Sequence, residues 1–182
     1  MEEQQSPFQA AIKPGLIIGL VSLAITYLAY FINSSLLASG WFSLVSLAIA
    51  VAFVIYFGSQ FRAERGGFMS FGTAFNFSFI SLVISAVVGT IGLMVLYQVV
   101  DPSLPQVLAD EAFQTTLETM EKFGASVDAM PPEQLEEMRT ATLDGFTVTG
   151  QLKGFGFILI FYAIVALILG AILKKRDKSL DY

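Results

Sequence analysis

Residues 14–61, PGLIIGLVSLAITYLAYFINSSLLASGWFSLVSLAIAVAFVIYFGSQF, form an unbroken run of 48 positions without a charged side chain. A helix that crosses a hydrocarbon core about 30 Å thick needs about 20 apolar residues. The run is therefore too long for one span, and its length fits two spans with a tight connection. The sequence NSS at 33–35 favours a turn, and Trp41 suits the membrane interface. We predict transmembrane helices at about 14–32 and 41–60.

The remainder of the chain contains two more uncharged runs, at 71–100 and 154–173. As a helix, the first of these would be about 45 Å long, so it must tilt or extend beyond the hydrocarbon core. Asp101-Pro102 ends that run, and Lys174 ends the other. With 55% hydrophobic and 14% charged residues among 182, the chain has the composition of a membrane protein.

Lysine and arginine residues cluster on one side of the predicted membrane. Seven of them flank the helix ends on that side: Lys13, Arg62, Arg65, Lys174, Lys175, Arg176 and Lys178. On the other side only Lys153 adjoins a span. Because basic flanks stay in the cytoplasm, we predict that the segments 1–13 and 174–182 are cytoplasmic. Two glutamates before helix 1, together with its long apolar run, indicate a retained anchor rather than a signal peptide.

The segment FRAERGGFMSFGTAF, residues 61–75, connects the second and third predicted helices. The glycine pair at 66–67 supplies the turn, and Ser70 is positioned to cap the third helix. The FGTAF pattern at 71–75 has no such explanation. We expect Gly72 to pack closely against the inner ends of helices 1 and 2, and a cytoplasmic-side site would be sought here first.

Residues 101–150 form an acidic excursion between the third and fourth spans. Ten acidic residues and two basic residues give it a net charge of −8: Asp101, Asp110, Glu111, Glu118, Glu121, Asp128, Glu133, Glu136, Glu137 and Asp144, with Lys122 and Arg139. Ser103 to Gln106 has the form of a capping box, and Gly124 is a natural helix stop. A second helix is expected to begin at Pro131-Pro132-Glu133.

Apolar side chains recur at helical spacing in both halves of the segment 101–153. They are Leu104, Leu108, Phe113, Leu117 and Met120 in the first half, and Leu135, Met138 and Leu143 in the second. We predict an amphipathic helical hairpin with 124–132 as its tip, whose stripe is buried between the two helices, on the membrane surface or against a partner. The predicted fold class is all-α: a transmembrane four-helix bundle with an extracytoplasmic helical hairpin between helices 3 and 4.

The chain contains no cysteine and no histidine, which excludes disulfides, thiolate chemistry and imidazole-based catalysis or metal binding. No phosphate loop, zinc motif or dinucleotide fingerprint is present. Glu111, Gln114, Glu118 and Glu121 lie at helical spacing, and a solvated helix face explains them better than a divalent-cation site. We therefore assign no catalytic, cofactor-binding or metal residues, expect no cofactor, and predict that the protein is not an enzyme.

The predicted spans contain no Asp, Glu, Lys or Arg, which argues against a proton-coupled transporter. Asn76 is the most conspicuous polar residue in them, followed along helix 3 by Ser78, Ser81 and Ser85. A solute path is one interpretation of this face. Hydrogen bonding between helices is the interpretation that we favour.

Small residues recur on three of the predicted spans. They are Gly15 and Gly19 on the first, Ser81, Ser85 and Gly89 on the third, and Ala166 and Gly170 on the fourth. Small side chains let helix backbones approach closely in lipid. They predict either a compact bundle or a dimer interface, and at this point both alternatives stand.

Several short motifs carry a resemblance to a known family. They are Pro14-Gly15 with Gly19, Arg62 followed by Gly67, SFGTAF at 70–75, Asp101-Pro102 after helix 3, the acidic segment, and the lysines that end helix 4. Over essentially the whole chain this pattern resembles the bacterial membrane-protein family called domain of unknown function 4199. The resemblance implies a four-span protein of the bacterial inner (cytoplasmic) membrane and assigns no activity.

The sequence thus predicts a multi-pass integral membrane protein of unknown biochemical activity. We expect a non-enzymatic interaction or scaffold protein, because the segment 101–153 presents an acidic amphipathic surface. The expected partners are the lipid bilayer, a protein bound through that segment, and a second copy of the chain; nucleic acid is not expected. The alternative is a channel or transporter for an uncharged or hydrophobic solute, based on Asn76 and the serine-bearing face of helix 3.

Overall fold

The computed structural model describes residues 5–124 and 126–176. Lys178, which contributed to the predicted orientation, lies outside the described residues, as do the ends of the segments 1–13 and 174–182. Six α-helices make up most of the described chain: α1 (Pro7–Ile32), α2 (Gly40–Glu64), α3 (Phe71–Val95), α4 (Leu104–Lys122), α5 (Pro132–Phe146) and α6 (Val148–Leu173). Short helical turns follow α1 at Ser34–Ala38, extend α3 at Leu96–Val100, and precede α5 at Val127–Ala129.

Four of these helices are long and apolar enough to cross a membrane: α1, α2, α3 with its extension to Val100, and α6. By length and composition, the prediction of four spans in an all-helical chain is confirmed. The remaining two helices, α4 and α5, lie in the acidic segment between the third and fourth candidate spans.

Two of the four candidate spans begin earlier than their apolar runs. α1 begins seven residues before Pro14, because the Ser6 hydroxyl accepts the Gln9 N–H in a capping box. α6 begins six residues before Gly154, because the Thr147 side chain accepts a backbone N–H of the first turn. In both cases a polar cap, rather than hydrophobicity, decides where the helix starts.

Lys13 lies inside the first candidate span, in the second turn of α1. The candidate helices extend past the predicted spans, so Lys13 of α1, Arg62 and Glu64 of α2 and Lys153 of α6 lie near their ends, while the predicted spans themselves contain no charged residue. The polar residues around the capping box hid the true helix start at Pro7, so sequence reasoning placed Lys13 at the helix end. Pro14, the next residue, also lies within the helix and is buried.

α3 is the central helix, and α1 runs parallel to it in close contact. A Cβ atom on Gly15 would lie 2.7 Å from the Ile84 Cβ, and one on Gly19 would lie 2.7 Å from the Val88 Cβ. Such distances are too short for any residue with a side chain, so both positions require glycine unless α3 moves. The GxxxG pair therefore packs within one chain, which favours the compact bundle over the dimer interface for these two glycines.

α6 packs antiparallel along another side of α3. Gly170 lies against the Phe71 ring and the Phe75 backbone, where an added Cβ would be 3.1 and 3.3 Å from the nearest atoms. Phe71, Phe75 and Phe79 stack in a row along α3. Gly72 is exposed and has open space around it, so the prediction of close packing at Gly72 is wrong. The FGTAF pattern instead supplies the aromatic surface that Gly170 contacts.

The turn between α2 and α3 holds the end of α6. The glycines at 66–67 have φ angles of 78° and 88°, which confirms the predicted turn. Met69 N–H donates to the Lys175 carbonyl at 3.0 Å, and Lys175 N–H donates back at 2.9 Å. Arg62 Nη1 donates to the Leu173 carbonyl oxygen at 3.1 Å, and this satisfies one of the free carbonyls at the end of α6.

Three predicted helix ends can be compared with the structure. The Ser70 hydroxyl accepts the Thr73 N–H at 3.2 Å, which confirms the cap of α3. Gly124 follows the end of α4 with a φ angle of 86°, which confirms the helix stop. The capping box at Ser103 does not form, because the Ser103 hydroxyl donates to the Asp101 carboxylate instead of accepting from the first turn of α4.

α2 packs against the bundle mainly through its C-terminal half. Phe61 stacks on Phe77 of α3 with ring centroids 5.1 Å apart, and Gly58 lies against Leu173 of α6. The N-terminal half of α2 borders a cavity of about 580 Å³ that also touches α1, α3 and α6. Small residues line part of this cavity, among them Ser46, Ser85 and Gly89.

Candidate interaction surface

α4 is anchored to the end of the bundle through the first part of its apolar stripe. Leu104 and Leu108 are fully buried and form one cluster with Leu96 and Tyr97, which lie in the turn that extends α3. Partly buried side chains from α1, from the turn after α1 and from the end of α5 surround this cluster: Tyr27, Tyr30, Leu37, Ala38 and Phe146. The start of the stripe is thus buried against the chain itself.

Hydrogen bonds fix the connection between α3 and α4. The Tyr30 hydroxyl donates to Asp101 Oδ2 at 3.1 Å. Ser103 donates to Asp101 Oδ1 twice, from its backbone N–H at 3.0 Å and from its hydroxyl at 2.6 Å. These donors, led by the Ser103 hydroxyl, hold the pKa of Asp101 below its usual range. Asp101 therefore acts as an acceptor that ties α1 and the start of α4 together.

A second hydrogen bond ties α4 to the connection between α1 and α2. The Ser35 hydroxyl donates to the Glu111 carboxylate. Ser35 lies in the turn Ser34–Ala38, which the sequence predicted only as a short connection. α4 thus rests on this turn as well as on the cluster around Leu96 and Tyr97, and we call these two the platform. Glu111 has a structural partner and is not simply solvated.

α5 folds back along the outer part of α4. Arg139 on α5 donates to Asp110 Oδ1 on α4 from Nη2 at 2.9 Å and from Nε at 3.2 Å. The later members of both apolar stripes are half-buried: Phe113, Leu117, Met120, Leu135, Met138 and Leu143. The chain itself thus covers the start of the stripe near Leu104 and leaves its later members partly exposed.

The outward surface of the α4–α5 pair is acidic. Its exposed carboxylates are Glu118, Glu121, Asp128, Glu133, Glu136, Glu137 and Asp144. Lys122 partly offsets them, with its ammonium 3.8 Å from Glu118. Phe123, at the end of α4, is 88% exposed and stands out as a large aromatic ring among these charges. We call Phe123 and the seven carboxylates the acidic tip surface.

Within residues 5–124 and 126–176, no group of three carboxylates is arranged to hold a metal ion. The predicted helical face of Glu111, Gln114, Glu118 and Glu121 is split by the fold. Glu111 bonds to Ser35, whereas Glu118 and Glu121 remain exposed. The chemistry that this surface offers is negative charge and one exposed aromatic ring.

The three serines of α3 share a buried face, as the sequence suggested, but Asn76 does not belong to it. Asn76 is exposed on the outside of the bundle, and its side chain makes no hydrogen bond to another described residue. Ser81 Oγ donates across to the Ala11 carbonyl of α1 at 3.5 Å. Ser85 Oγ donates within its own helix, and Ser78 Oγ is buried without a partner in the described part of the chain. Helix packing here depends on small size more than on interhelical hydrogen bonds.

Sequence reasoning missed two features of this chain that bear on function. Phe123 was not singled out, because the sequence alone does not separate it from the apolar stripe of α4, whose members are buried or half-buried. Its position directly before the helix stop at Gly124 is the signal that could have separated it from the stripe. The start of α1 at Pro7 was placed seven residues too late, at Pro14, although a capping box beginning at Ser6 was present in the sequence.

Comparison with known proteins returns one family. The family model described as "Protein of unknown function (DUF4199)" matches residues 13–175, which covers all four candidate spans and the α4–α5 pair. No curated protein and no solved structure matches the chain.

We expect Arg139→Gln to weaken the α4–α5 contact at neutral pH and to have no effect in strong acid. The hydrogen bonds and charge of Arg139 hold the pKa of Asp110 below its ordinary value. The stabilisation from this pair is therefore complete above that ordinary value and is lost as the pH falls through the lowered pKa of the folded protein.

The thermal unfolding midpoint of the purified protein, followed by circular dichroism from about pH 7 to about pH 2, checks this expectation. The wild-type midpoint should exceed that of Arg139→Gln at pH 7, and the difference should close in acid. Lys122→Gln is the matched control, because its ion pair to Glu118 is largely exposed and should matter little. A difference that stays constant with pH would contradict the role of Asp110.

Proposed function

The chain belongs to the DUF4199 family, and we propose that it is a non-enzymatic interaction or scaffold protein of the bacterial inner membrane. In this proposal the four spans anchor the protein in the bilayer, and the α4–α5 pair is an extracytoplasmic module that binds another protein. The observation that carries the proposal is the acidic tip surface, which is held on a buried platform and exposes Phe123.

The platform matters because binding surfaces gain affinity when they are already ordered. Leu104 and Leu108 anchor α4, and Asp110 with Arg139 connects α4 to α5. The acidic tip surface therefore does not need to fold on binding, and little conformational entropy is lost there. An exposed aromatic ring surrounded by charges is typical of a contact that a partner can desolvate. The complementary partner is a basic protein surface with an apolar pocket.

The proposed orientation is supported by the distribution of charge between the two ends of the bundle. Arg62, Lys174 and Lys175 lie at the end that carries the α2–α3 turn. The opposite end carries the α4–α5 pair with its exposed carboxylates. Basic flanks favour the cytoplasm, so the acidic tip surface is assigned to the extracytoplasmic side.

Single cysteines test the orientation, because the chain has no native cysteine. Ser126→Cys, on the exposed connection between α4 and α5, should react with a membrane-impermeant maleimide in intact cells. Ser179→Cys, in the tail outside the described residues, should react only after lysis. Labelling of Ser179→Cys in intact cells, with protection of Ser126→Cys, would reverse the assignment.

The interaction itself can be tested with a photo-crosslinking amino acid in place of Phe123 in the intact membrane. We expect discrete protein adducts at this position, and we expect them to weaken when Glu118 and Glu121 are changed to lysine. Tyr56, which is exposed on the surface of α2 within a candidate span, is the matched control position and should give lipid adducts only. The same adduct pattern at both positions would remove the basis for an interaction module.

A channel or transporter is the second candidate, and the cavity near Ser85 and Gly89 is the observation in its favour. Asn76, on which this alternative was based, faces the outside of the bundle and does not line that cavity. Between the cavity and the α2–α3 turn, the core is closed by fully buried side chains, among them Val54, Phe77 and Leu82. The geometry thus supports the interaction role better than a continuous path.

A further inference from the structure

A polar crevice lies between α1 and α2, at the end of the bundle that carries the α2–α3 turn. Its volume is about 480 Å³. The residues that matter for its chemistry are Gln9 and Lys13 on α1, Gln60 and Glu64 on α2, and the rings of Phe57 and Phe77. This crevice is at the opposite end from the acidic tip surface, so any ligand it holds is independent of the interaction proposed above.

Lys13 lies deeper in the bundle than the other basic residues at this end. Gly15 meets α3 near residues 81–84, whereas the last turns of α6 meet it near residues 71–75. With a rise of about 1.5 Å per residue, Lys13 is about 18 Å farther along the bundle than Lys174. Lys13 is exposed, so its ammonium is available to a ligand in the crevice.

The crevice contains a cation and an anion that do not neutralise each other. Among the described residues, no carboxylate lies within 4.0 Å of the Lys13 ammonium. Helical side chains lean toward the N-terminus of their own helix. Because α1 and α2 are antiparallel, Lys13 leans toward the end of the bundle, whereas Glu64 leans inward from that end. Both side chains line the same crevice, and no salt bridge joins them.

Apolar side chains lie beyond the crevice on both helices, and we call the crevice together with these side chains the groove. Leu16 and Leu20 follow Lys13 on one face of α1, and they are 44% and 59% exposed. On α2, Phe53 lies one turn beyond Phe57, with ring centroids 6.2 Å apart. From the end of the bundle inward, the groove thus presents a carboxylate, an ammonium and then apolar side chains.

We propose that this groove binds a phospholipid with a phosphoethanolamine headgroup. The lipid phosphate accepts hydrogen bonds from Lys13, the lipid ammonium donates to Glu64, and an acyl chain lies along Leu16 and Leu20. In such a lipid the ammonium is outermost, the phosphate comes next and the acyl chains lie beyond, which is the order of complementary groups in the groove. Both polar contacts are charge-assisted hydrogen bonds.

The amides beside the two charges fit the same headgroup. Gln9 Oε1 accepts the Ser6 N–H, so the Gln9 amide N–H groups are left to donate to a phosphate oxygen. Gln60 supplies a second amide on the facing helix. A phosphocholine headgroup has no ammonium N–H group that could donate a hydrogen bond to Glu64. An anionic headgroup without an amine brings no partner for Glu64.

Native mass spectrometry of the detergent-purified full chain tests the proposal with dioctanoyl phosphatidylethanolamine, phosphatidylcholine and phosphatidylglycerol at equal concentrations. We expect phosphatidylethanolamine to bind best. Lys13→Met should lower its apparent affinity about tenfold, which is the loss expected for one charge-assisted contact. Glu64→Gln should reduce phosphatidylethanolamine binding to the phosphatidylcholine level and leave phosphatidylcholine binding unchanged. Lys174→Met and Glu118→Gln, outside the crevice, are the matched controls and should behave as the wild type.

Equal binding of the three lipids by the wild type would overturn the proposal, and so would a preference that survives in both crevice variants. A preference for phosphatidylglycerol that depends on Lys13 but not on Glu64 would replace it with a simple anion site. If Lys13→Met does not fold, as judged by circular dichroism, Glu64→Gln decides alone. Loss of the phosphatidylethanolamine preference in that variant supports the proposal, and its retention overturns it.

Discussion

The close approach of α1 to α3 is the contact on which the rest of the structure depends. Gly15 and Gly19 present no side chains, so the α1 backbone lies against α3 with no room for a Cβ. Lipid chains are as apolar as helix surfaces, so association in a bilayer relies on such tight packing more than on hydrophobicity. Gly92 continues the contact by accommodating Leu23, and its carbonyl accepts a hydrogen bond from the Tyr27 hydroxyl at 3.1 Å.

This contact also determines where the two proposed binding regions lie. With α1 and α6 both packed on α3, α2 completes the bundle mainly at its C-terminal end, through Phe61 and Gly58. The polar crevice around Lys13 lies between α1 and α2 at that end. At the other end, α1 and the extension of α3 together offer Tyr30 and Tyr97 to α4, and this platform carries the acidic tip surface. Membrane packing thus connects a lipid-facing groove at one end with an ordered module at the other.

Most helices could be predicted from the sequence because apolar runs and turn residues act locally. The turn at 66–67, the cap at Ser70 and the stop at Gly124 depend only on neighbouring residues, and all three are confirmed. Features that depend on which helices meet could not be predicted in this way. Gly72 and Gly170 are alike in sequence, yet only Gly170 has a helix against it.

The candidate sites show the same difference between features that depend on neighbouring residues and features that depend on which helices meet. The acidic excursion was visible as a charge pattern, but the burial of its stripe depends on residues contributed by α1 and α3. The exposure of Phe123 is evident only from the structure, in which the other stripe residues of α4 are buried or half-buried. The crevice around Lys13 brings the start of α1 and the end of α2 together, so no local pattern could reveal it.

The change of Gly19 to leucine tests the α1–α3 contact most directly, because even a Cβ at this position would lie 2.7 Å from the Val88 Cβ, whereas a Cβ on the exposed Gly72 of α3 would meet nothing within 4 Å. We predict that Gly19→Leu lowers the thermal unfolding midpoint of the detergent-purified protein, while Gly72→Leu, the matched control, leaves it unchanged or raises it; an unchanged or higher midpoint for Gly19→Leu would contradict the close approach of α1 to α3.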